Sequence, residues 1–472
     1  MSVQHATIAS APSIPPISPP SPLLHIRTDT YAGRKYHASS VVTENTDLLG
    51  ACAPFAYTIW KRFRNEVCAE CWRYDRGRRS FLTRRDDEGF GGVLASGATQ
   101  SCAEEGDQGT RAGSTVGAGL WFCNATCQRS WIAREGSDAV NLLRRLEGVR
   151  QTKSKSKSKP GAEEHEDRGI TRDVADGAWD AVCAEERSAK GVRRWQGLLL
   201  DDYETDMARY VLLALLRCHR ERCDRYACGG CPSLRHEATV PGDSDVDCTE
   251  AKGGCEQDSE WGTFASLQTN ELSLLRACPE ILDHQTRVYR LLRSLFCGFG
   301  VAAYPMPASS SRSILLSALP SPNGSCSTAE DAARNLRGDR PGGDSADRGR
   351  RPALGDVITV ANVRRALGVD AGNSFGIWEV PLTDESECLG FAVYPVASFF
   401  NHHCSPNVRK VRDGRTLRFL TACAVEKNEE LCISYGHVEG MDWSVRQKEL
   451  LEGWYFSCRC SRCRCEGPGA EC

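Results

Sequence analysis

Cys458-Arg459-Cys460-Ser461-Arg462-Cys463 places three thiols in one short segment, a spacing that wraps a tetrahedral metal ion and leaves the fourth ligand to come from elsewhere in the chain. Cys404 is the candidate for that fourth position. A second set, Cys68-Ala69-Glu70-Cys71 and Cys123-Asn124-Ala125-Thr126-Cys127, closes a four-cysteine site by itself, because the entropy of closing a long loop grows only slowly with its length. Each set draws remote segments together, which constrains the fold more than any local propensity. A cysteine-rich tail without metal is the alternative for the C-terminal set. The chain holds 25 cysteines in 472 residues, and Met1–Leu24 lacks a basic start followed by an apolar core. Both point to reduced thiols inside the cell, in nucleus and/or cytoplasm, where closely paired cysteines are zinc ligands before they are disulfides.

Charge and hydropathy exclude two function classes. Lys+Arg 59 against Asp+Glu 62 gives a net charge of -3, so no direct nucleic-acid binding is expected from the overall balance. The longest nearly uncharged apolar stretch, Leu48–Trp60, falls short of the ~20 residues of a membrane span.

Composition divides the chain. Residues 1–24 form a Pro/Ser tail too poor in apolar residues to fold, and the stretches 86–119 and 308–351 read as disordered in the same way. The Lys-Ser run from Lys153 to Lys159 is a solvated linker. Between these, Met207, Tyr210, Val211, Ala214 and Leu215, and then Val288, Leu291, Leu292, Leu295 and Phe296, repeat with a helical period. Strands are expected at Val357–Val360, Phe391–Tyr394, Leu417–Leu420 and Leu431–Tyr435. Cys218, Cys223, Cys228, Cys231, Cys248 and Cys255 are irregularly spaced and read as free surface thiols, with a third zinc site as the alternative.

Three blocks carry a resemblance. Asn401-His402-His403-Cys404-Ser405-Pro406-Asn407, then Glu429-Glu430-Leu431-Cys432-Ile433-Ser434-Tyr435-Gly436, then the Cys458-Cys460-Cys463 run follow the order of the SET domain of protein lysine methyltransferases with its post-SET zinc site. The cysteines at 68–127 resemble a degenerate MYND finger, which the SET and MYND domain family inserts into its SET domain. The resemblance implies an α+β fold: a split SET β-fold with a zinc-binding insert, a helical insert and a C-terminal post-SET zinc site. It implies a SET N-terminal part at 25–62, a MYND-like insert at 63–140, a linker at 141–175 and a helical insert at 176–304 with a Cys-rich loop at 218–258. A disordered linker at 305–352, a catalytic core at 353–440 and the post-SET region at 441–472 complete it.

The activity implied is methyl transfer from S-adenosylmethionine to a lysine of a protein substrate, a histone among the candidates, with two Zn2+ per chain. Tyr435 matches the active-site tyrosine, with a buried structural tyrosine as the alternative. Asn401 and His402 match the pair that holds the cofactor, and Ser398, Asn373, Phe375, Asn270, Phe456 and Arg34 match secondary cofactor contacts. The zinc ligands implied are Cys68, Cys71, Cys123 and Cys127, and Cys404, Cys458, Cys460 and Cys463. Two positions depart from the family. Lys35 replaces a loop glycine and is expected to crowd a nucleoside, and Asn428 replaces the glycine before Glu429 in a turn that Asn tolerates. A rival reading, a docking protein that keeps the fold without strong catalysis, draws on Lys35 and the degraded finger.

Overall fold

Residues near the N-terminus find their hydrogen-bonding partners near the C-terminus. The computed structural model describes residues 20–29, 33–74, 76, 84–85, 117–150, 170–227, 259–297, 351–383, 385–436 and 438–468. In chain order the strands are β1 (Leu24–Asp29), β2 (Gly33–Ala38), β3 (Ala56–Ile59), β4 (Arg84–Arg85), β5 (Trp121–Phe122), β6 (Ser374–Trp378), β7 (Cys388–Val393), β8 (Asn401–His402), β9 (Val408–Asp413), β10 (Thr416–Thr421) and β11 (Cys432–Ile433). The helices are α1 (Ala125–Gly148), α2 (Arg172–Glu186), α3 (Ala189–Trp195), α4 (Asp202–Ala227), α5 (Glu260–Ala265), α6 (Glu271–Ala277), α7 (Ile281–Phe296), α8 (Val360–Asn373), α9 (Trp443–Trp454) and α10 (Ser461–Glu466).

β1 and β2 pair antiparallel from Leu24↔Ala38 to Asp29↔Gly33, and strand alternation turns Tyr36 and Ala38 into the core. β2 is then joined to the turn before β11: Ala38 N–H donates to Glu429 O (3.0 Å) and Leu431 N–H to Tyr36 O (2.9 Å). Asn428 in that turn has φ +71°, the left-handed conformation expected of it. Val42 with Val425 and Cys52 with Leu417 each exchange reciprocal backbone hydrogen bonds. β3 pairs antiparallel with β7, whose other edge takes β6, while β9 and β10 form a hairpin and β8 runs parallel to β11.

The helices fill the interval between the two halves of this sheet system. α4 is buried on all faces from Glu204 to Leu216, so it serves as the central helix. Met207, Tyr210, Val211, Ala214 and Leu215 are all in the core, as are Val288, Leu291 and Leu292 of α7, whereas Leu295 and Phe296 are half-buried. The strand expected at Val357–Val360 is instead the entrance to α8: Thr359 Oγ1 accepts from Asn362 N–H (3.2 Å) and caps the helix. A short apolar run of β-branched residues has the same appearance before a buried helix as in a strand.

Several boundaries move. Leu24 and Ala118, placed in disordered segments by composition, are buried in the core, and Pro352 O accepts from His219 (3.1 Å). α1 crosses the boundary at 140, bending at Gly136 (φ +79°). α4 extends through Cys218 and Cys223, so Cys218 is a core residue rather than a surface thiol, and His219 and Cys223 turn one turn of α4 toward Pro352. Residues 1–19, 86–116 and 305–350, the Lys-Ser run and Cys228, Cys231, Cys248 and Cys255 lie outside the described residues.

A buried ionic cluster ties the layers. Arg64 donates to Ile59 O (3.0 Å) and pairs with the carboxylates of Glu147 on α1 and Asp206 on α4. Arg209 on α4 donates to Glu147 (2.9 Å) and to Ala118 O (2.7 Å). Burial works against the Glu147 carboxylate, but Arg209, Arg64 and Lys61 outweigh it and hold its pKa below the usual carboxylate range. Glu147→Gln strips buried Arg209 of its carboxylate partner and leaves Arg64 with Asp206 alone, and is expected to cost about 3 to 5 kcal/mol by urea denaturation at neutral pH. Because the folded-state pKa is depressed, this contribution is present above the unfolded value of ~4.3 and is lost as pH falls through the folded one. A cost under ~1 kcal/mol, as at a surface pair, contradicts the cluster's role.

Candidate active site and zinc centres

Two cysteine quartets assemble. Cys68, Cys71, Cys123 and Cys127 bring their sulfurs within 4.8 Å of one another, as do Cys404, Cys458, Cys460 and Cys463. Individual Sγ···Sγ distances are 3.7 Å for Cys71–Cys123, 3.5 Å for Cys123–Cys127, 3.8 Å for Cys404–Cys458 and 3.4 Å for Cys404–Cys463. Thiolates at the ~2.3 Å Zn–S bond length of a tetrahedron lie ~3.8 Å apart, so both donor sets fit zinc. In each quartet the sulfurs share protons unequally: Cys71 hydrogen-bonds Cys68 and pushes its thiol down to about 5, while Cys71 itself is pushed up.

The first quartet is built by a tight knuckle at Trp72 (φ +57°) and by the N-terminus of α1, where Asn124 Oδ1 accepts from Cys127 N–H (2.8 Å). Trp131 Nε1–H donates to Tyr57 OH (2.7 Å), which donates to Ala69 O (3.1 Å), so the knuckle is anchored to β3. The second is braced from α9. Gln447 makes two 2.9 Å bonds with the backbone of Cys458, and fully buried Arg446 reaches Glu466 (2.6 Å) and Met441 O (2.6 Å).

Cys404 joins this second quartet to an interlock of backbone. His403 N–H donates to Ile433 O (3.0 Å), and Asn407 Oδ1 accepts from Cys432 N–H (2.9 Å) while its Nδ2 donates to Glu430 O (2.9 Å). His402 Nδ1 accepts from Tyr435 N–H (3.1 Å), and its Nε2 lies 3.2 Å from Cys404 Sγ. Burial pushes the pKa of His402 down to about 4, so the ring is neutral, with Nδ1 as its acceptor. The Tyr435 hydroxyl donates to Phe400 O (3.1 Å), and its ring lies 5.5 Å from His402, 5.9 Å from Trp454 and 6.1 Å from Phe456. Burial raises the Tyr435 phenol, which stays protonated.

Tyr435 opens into a cavity of about 730 Å³, lined also by Phe375, Asn373, Ser398, Phe400, Trp378 and Trp454. Of the nine candidate catalytic and cofactor residues, the structure thus brings Tyr435, Asn373, Phe375 and Ser398 to one cavity. His402 and Phe456 pack against Tyr435 behind it, with Asn401 next in sequence, paired to Cys432 across β8 and β11. Arg34, on β2, meets the 266–270 block instead, to which Asn270 belongs. Arg34 donates to Ser266 O (2.5 Å) and lies 4.8 Å over the Phe399 ring, and Asn373 Nδ2 donates to Gln268 O (2.8 Å). A Cβ on Gly372 would come 2.6 Å from Asn270 Nδ2, so this block clamps the end of α8. Lys35 is drawn into ion pairs with Asp29 (2.6 Å) and Glu430 (2.9 Å).

Sequence reasoning missed Trp454, Lys410 and Asp370, which line the same cavity. Trp454 had a signal: Gly453-Trp454-Tyr455-Phe456 combines an aromatic cluster with a helix end at Tyr455 (φ +65°). Asp370, whose pKa burial raises to about 7, had none, since it lies in an ordinary helical pattern.

Residues 260–436 match the family model of the SET domain. Over 459 residues, 94% of this chain and 96% of the relative, the chain is 23% identical to the Saccharomyces cerevisiae protein named Potential protein lysine methyltransferase SET6. It is 42% identical over 91 residues, 19% of the chain and 22% of the relative, to a SET and MYND domain-containing protein of Dictyostelium discoideum. A third relative, histone-lysine N-methyltransferase ASHR2 of Arabidopsis thaliana, is 35% identical over 131 residues, 25% of the chain and 32% of the relative. Among the described residues no helix is long and apolar enough to cross a membrane.

The quartets predict two zinc ions per chain by elemental analysis of reduced protein; one or fewer, or three or more, contradicts the assignment. Structural zinc contributes directly to folding free energy, so Cys460→Ser is expected to loosen the 438–468 segment to protease while leaving the zinc on the first quartet.

Proposed function

We propose that this SET-domain protein is an S-adenosylmethionine-dependent protein-lysine N-methyltransferase. In this reading the strands split between 24–59 and 374–436 are one SET fold, Cys68–Cys127 a reduced MYND-like zinc insert and Cys404–Cys463 a post-SET zinc site. The observation that carries it is the placement of Tyr435, held at its N–H by His402 and at its hydroxyl by Phe400 O, at the wall of an aromatic cavity.

The residues present suit the cofactor. Asn401 and Asn373 bring amide groups for an amino-acid end, and Phe456, packed on Tyr435, brings a ring for a purine, while Arg34 is held by Ser266 over Phe399. When bound, it supplies an electrophilic methyl group. The chain's own work is positioning. Phe375, Phe400, Trp378 and Trp454 form low-dielectric walls that favour the neutral form of an entering lysine amine. The Tyr435 hydroxyl, fixed by Phe400 O, has its oxygen lone pairs available to orient that amine. His402 is committed to Tyr435 N–H and acts as a positioning residue rather than a base. Lys35 lends the docking reading less support than its sequence position suggests, because its ammonium is engaged by Asp29 and Glu430. The substrate is a protein lysine, with a histone as one candidate.

Tyr435→Phe removes one polar atom while keeping the ring, so turnover with labelled cofactor is expected to fall roughly 10- to 1000-fold with cofactor affinity nearly unchanged. Asn401→Ala is expected instead to weaken S-adenosylmethionine binding by about 1 to 3 kcal/mol in calorimetry, by leaving polar groups unpaired. Zinc-replete wild type that binds no S-adenosylmethionine at millimolar concentration ends the enzyme reading in favour of a docking protein.

A further inference from the structure

The cavity beside Tyr435 contains a lysine of the chain itself. Lys410 on β9 lines it, and its Nζ donates to Ser434 O (2.7 Å), the carbonyl of the peptide bond that leads into Tyr435. The ammonium lies over the Phe375 ring, 5.9 Å from its centroid. Its side chain is exposed into the cavity rather than packed into the core. None of the described carboxylates pairs with it. The other charged groups on this wall are engaged: Glu379 with Arg76, and Arg412 with Trp378 O (2.6 Å) and Gly414 O (2.9 Å). Asp370 lies toward Tyr203 and Met207, where its carboxylate meets Ser374.

A cation at a cavity wall without a counter-ion loses part of its hydration, and the single hydrogen bond to Ser434 O offsets only some of that loss. Here it stands beside the tyrosine assigned to the reacting centre, with the same chemistry as the substrate amine. We propose that Lys410 is an intramolecular methyl acceptor, and that in the free protein it occupies the approach a substrate lysine must take. This rests on the methyltransferase reading. In the step, the neutral Lys410 amine forms an N–CH3 bond as the S–CH3 bond of S-adenosylmethionine breaks. The electron pair of that bond goes to sulfur, giving S-adenosylhomocysteine, and the proton of the new secondary ammonium goes to water. Geometry is supported by acidity: the protein around the ammonium lowers its pKa to about 8, against the opposing pull of Glu439, so a substantial neutral fraction exists in mildly alkaline solution.

The test uses the full, zinc-replete chain. Brief acetylation with acetic anhydride at pH 8, without cofactor, followed by peptide mass mapping, is expected to label Lys410 at least several-fold faster than the average lysine. Incubation with S-adenosylmethionine and no added substrate is expected to place a 14 Da increment on Lys410, at a fractional rate unchanged over a tenfold dilution. Lys410→Arg and Lys410→Met should both abolish that increment while calorimetry shows cofactor affinity within about twofold of wild type. Methyl transfer to an added protein with Lys410 unmodified overturns the proposal and leaves the methyltransferase reading standing. A rate that falls with dilution, or Lys410 acetylated no faster than average, also overturns it. Absence of both cofactor binding and all transfer overturns the two together.

Discussion

The pairing of residues 24–59 with residues 388–431 is the constraint on which everything else hangs. Once β2 is hydrogen-bonded to Glu429 and Leu431, and β3 to β7, everything between them must leave and return to adjacent points of one sheet system. Such long-range contacts carry a closure cost, but it rises only logarithmically with loop length, so the helical region between them costs little more than a short one. The buried cluster of Arg64, Glu147, Asp206 and Arg209 then fastens the inserted segments back onto the strand that precedes them. Its net stabilisation relative to an apolar core is small by general experience of buried ion pairs, and its value lies in fixing one arrangement of three layers.

The candidate site depends on this frame through Cys404. That residue is two positions from His402, whose Nδ1 holds the main chain of Tyr435, and its sulfur belongs to the C-terminal quartet. Folding of the 438–468 segment is therefore mechanically linked to the placement of Tyr435, and Phe456 and Trp454, delivered by that same segment, complete the aromatic surround. A cysteine quartet that looks remote from the candidate site in sequence becomes its back wall.

The sequence revealed what is dictated by covalent spacing and lost what is decided by tertiary context. Both cysteine quartets were legible because ligand spacing is a short-range property, and the faces of α4 and α7 because burial imposes a period. The segment 357–360 misled for the converse reason: Val357 and Ile358 are buried in either a strand or a helix entrance, and only the Thr359 cap decides. Cys218 looked like a surface thiol because its neighbours in sequence are polar, yet α4 carries it one turn further into the core. Lys410 was invisible as a cavity residue, since the alternation along β9 assigns it a side of the strand but not what that side faces. Lys35 was read from its position alone, and the ion pairs that turn its ammonium aside belong to Asp29 and Glu430, the latter 395 residues away.

On the proposed reaction, the same walls explain why no side chain is needed as a dedicated base. The rings packed on Tyr435 are those of His402, Trp454 and Phe456, of which only His402 titrates, and its acceptor nitrogen is taken by a backbone N–H. Asp370 lies on the Tyr203 and Met207 side, too well buried to be a strong carboxylate and shared with a second cleft. An amine that enters aromatic surroundings loses its proton to bulk water because the charged form is poorly solvated there, and each unit by which its pKa falls corresponds to ~1.4 kcal/mol of differential interaction. Lys410 is a lysine of the chain that already meets these walls: its Nζ donates to Ser434 O, and burial lowers its pKa in the direction expected for an entering amine.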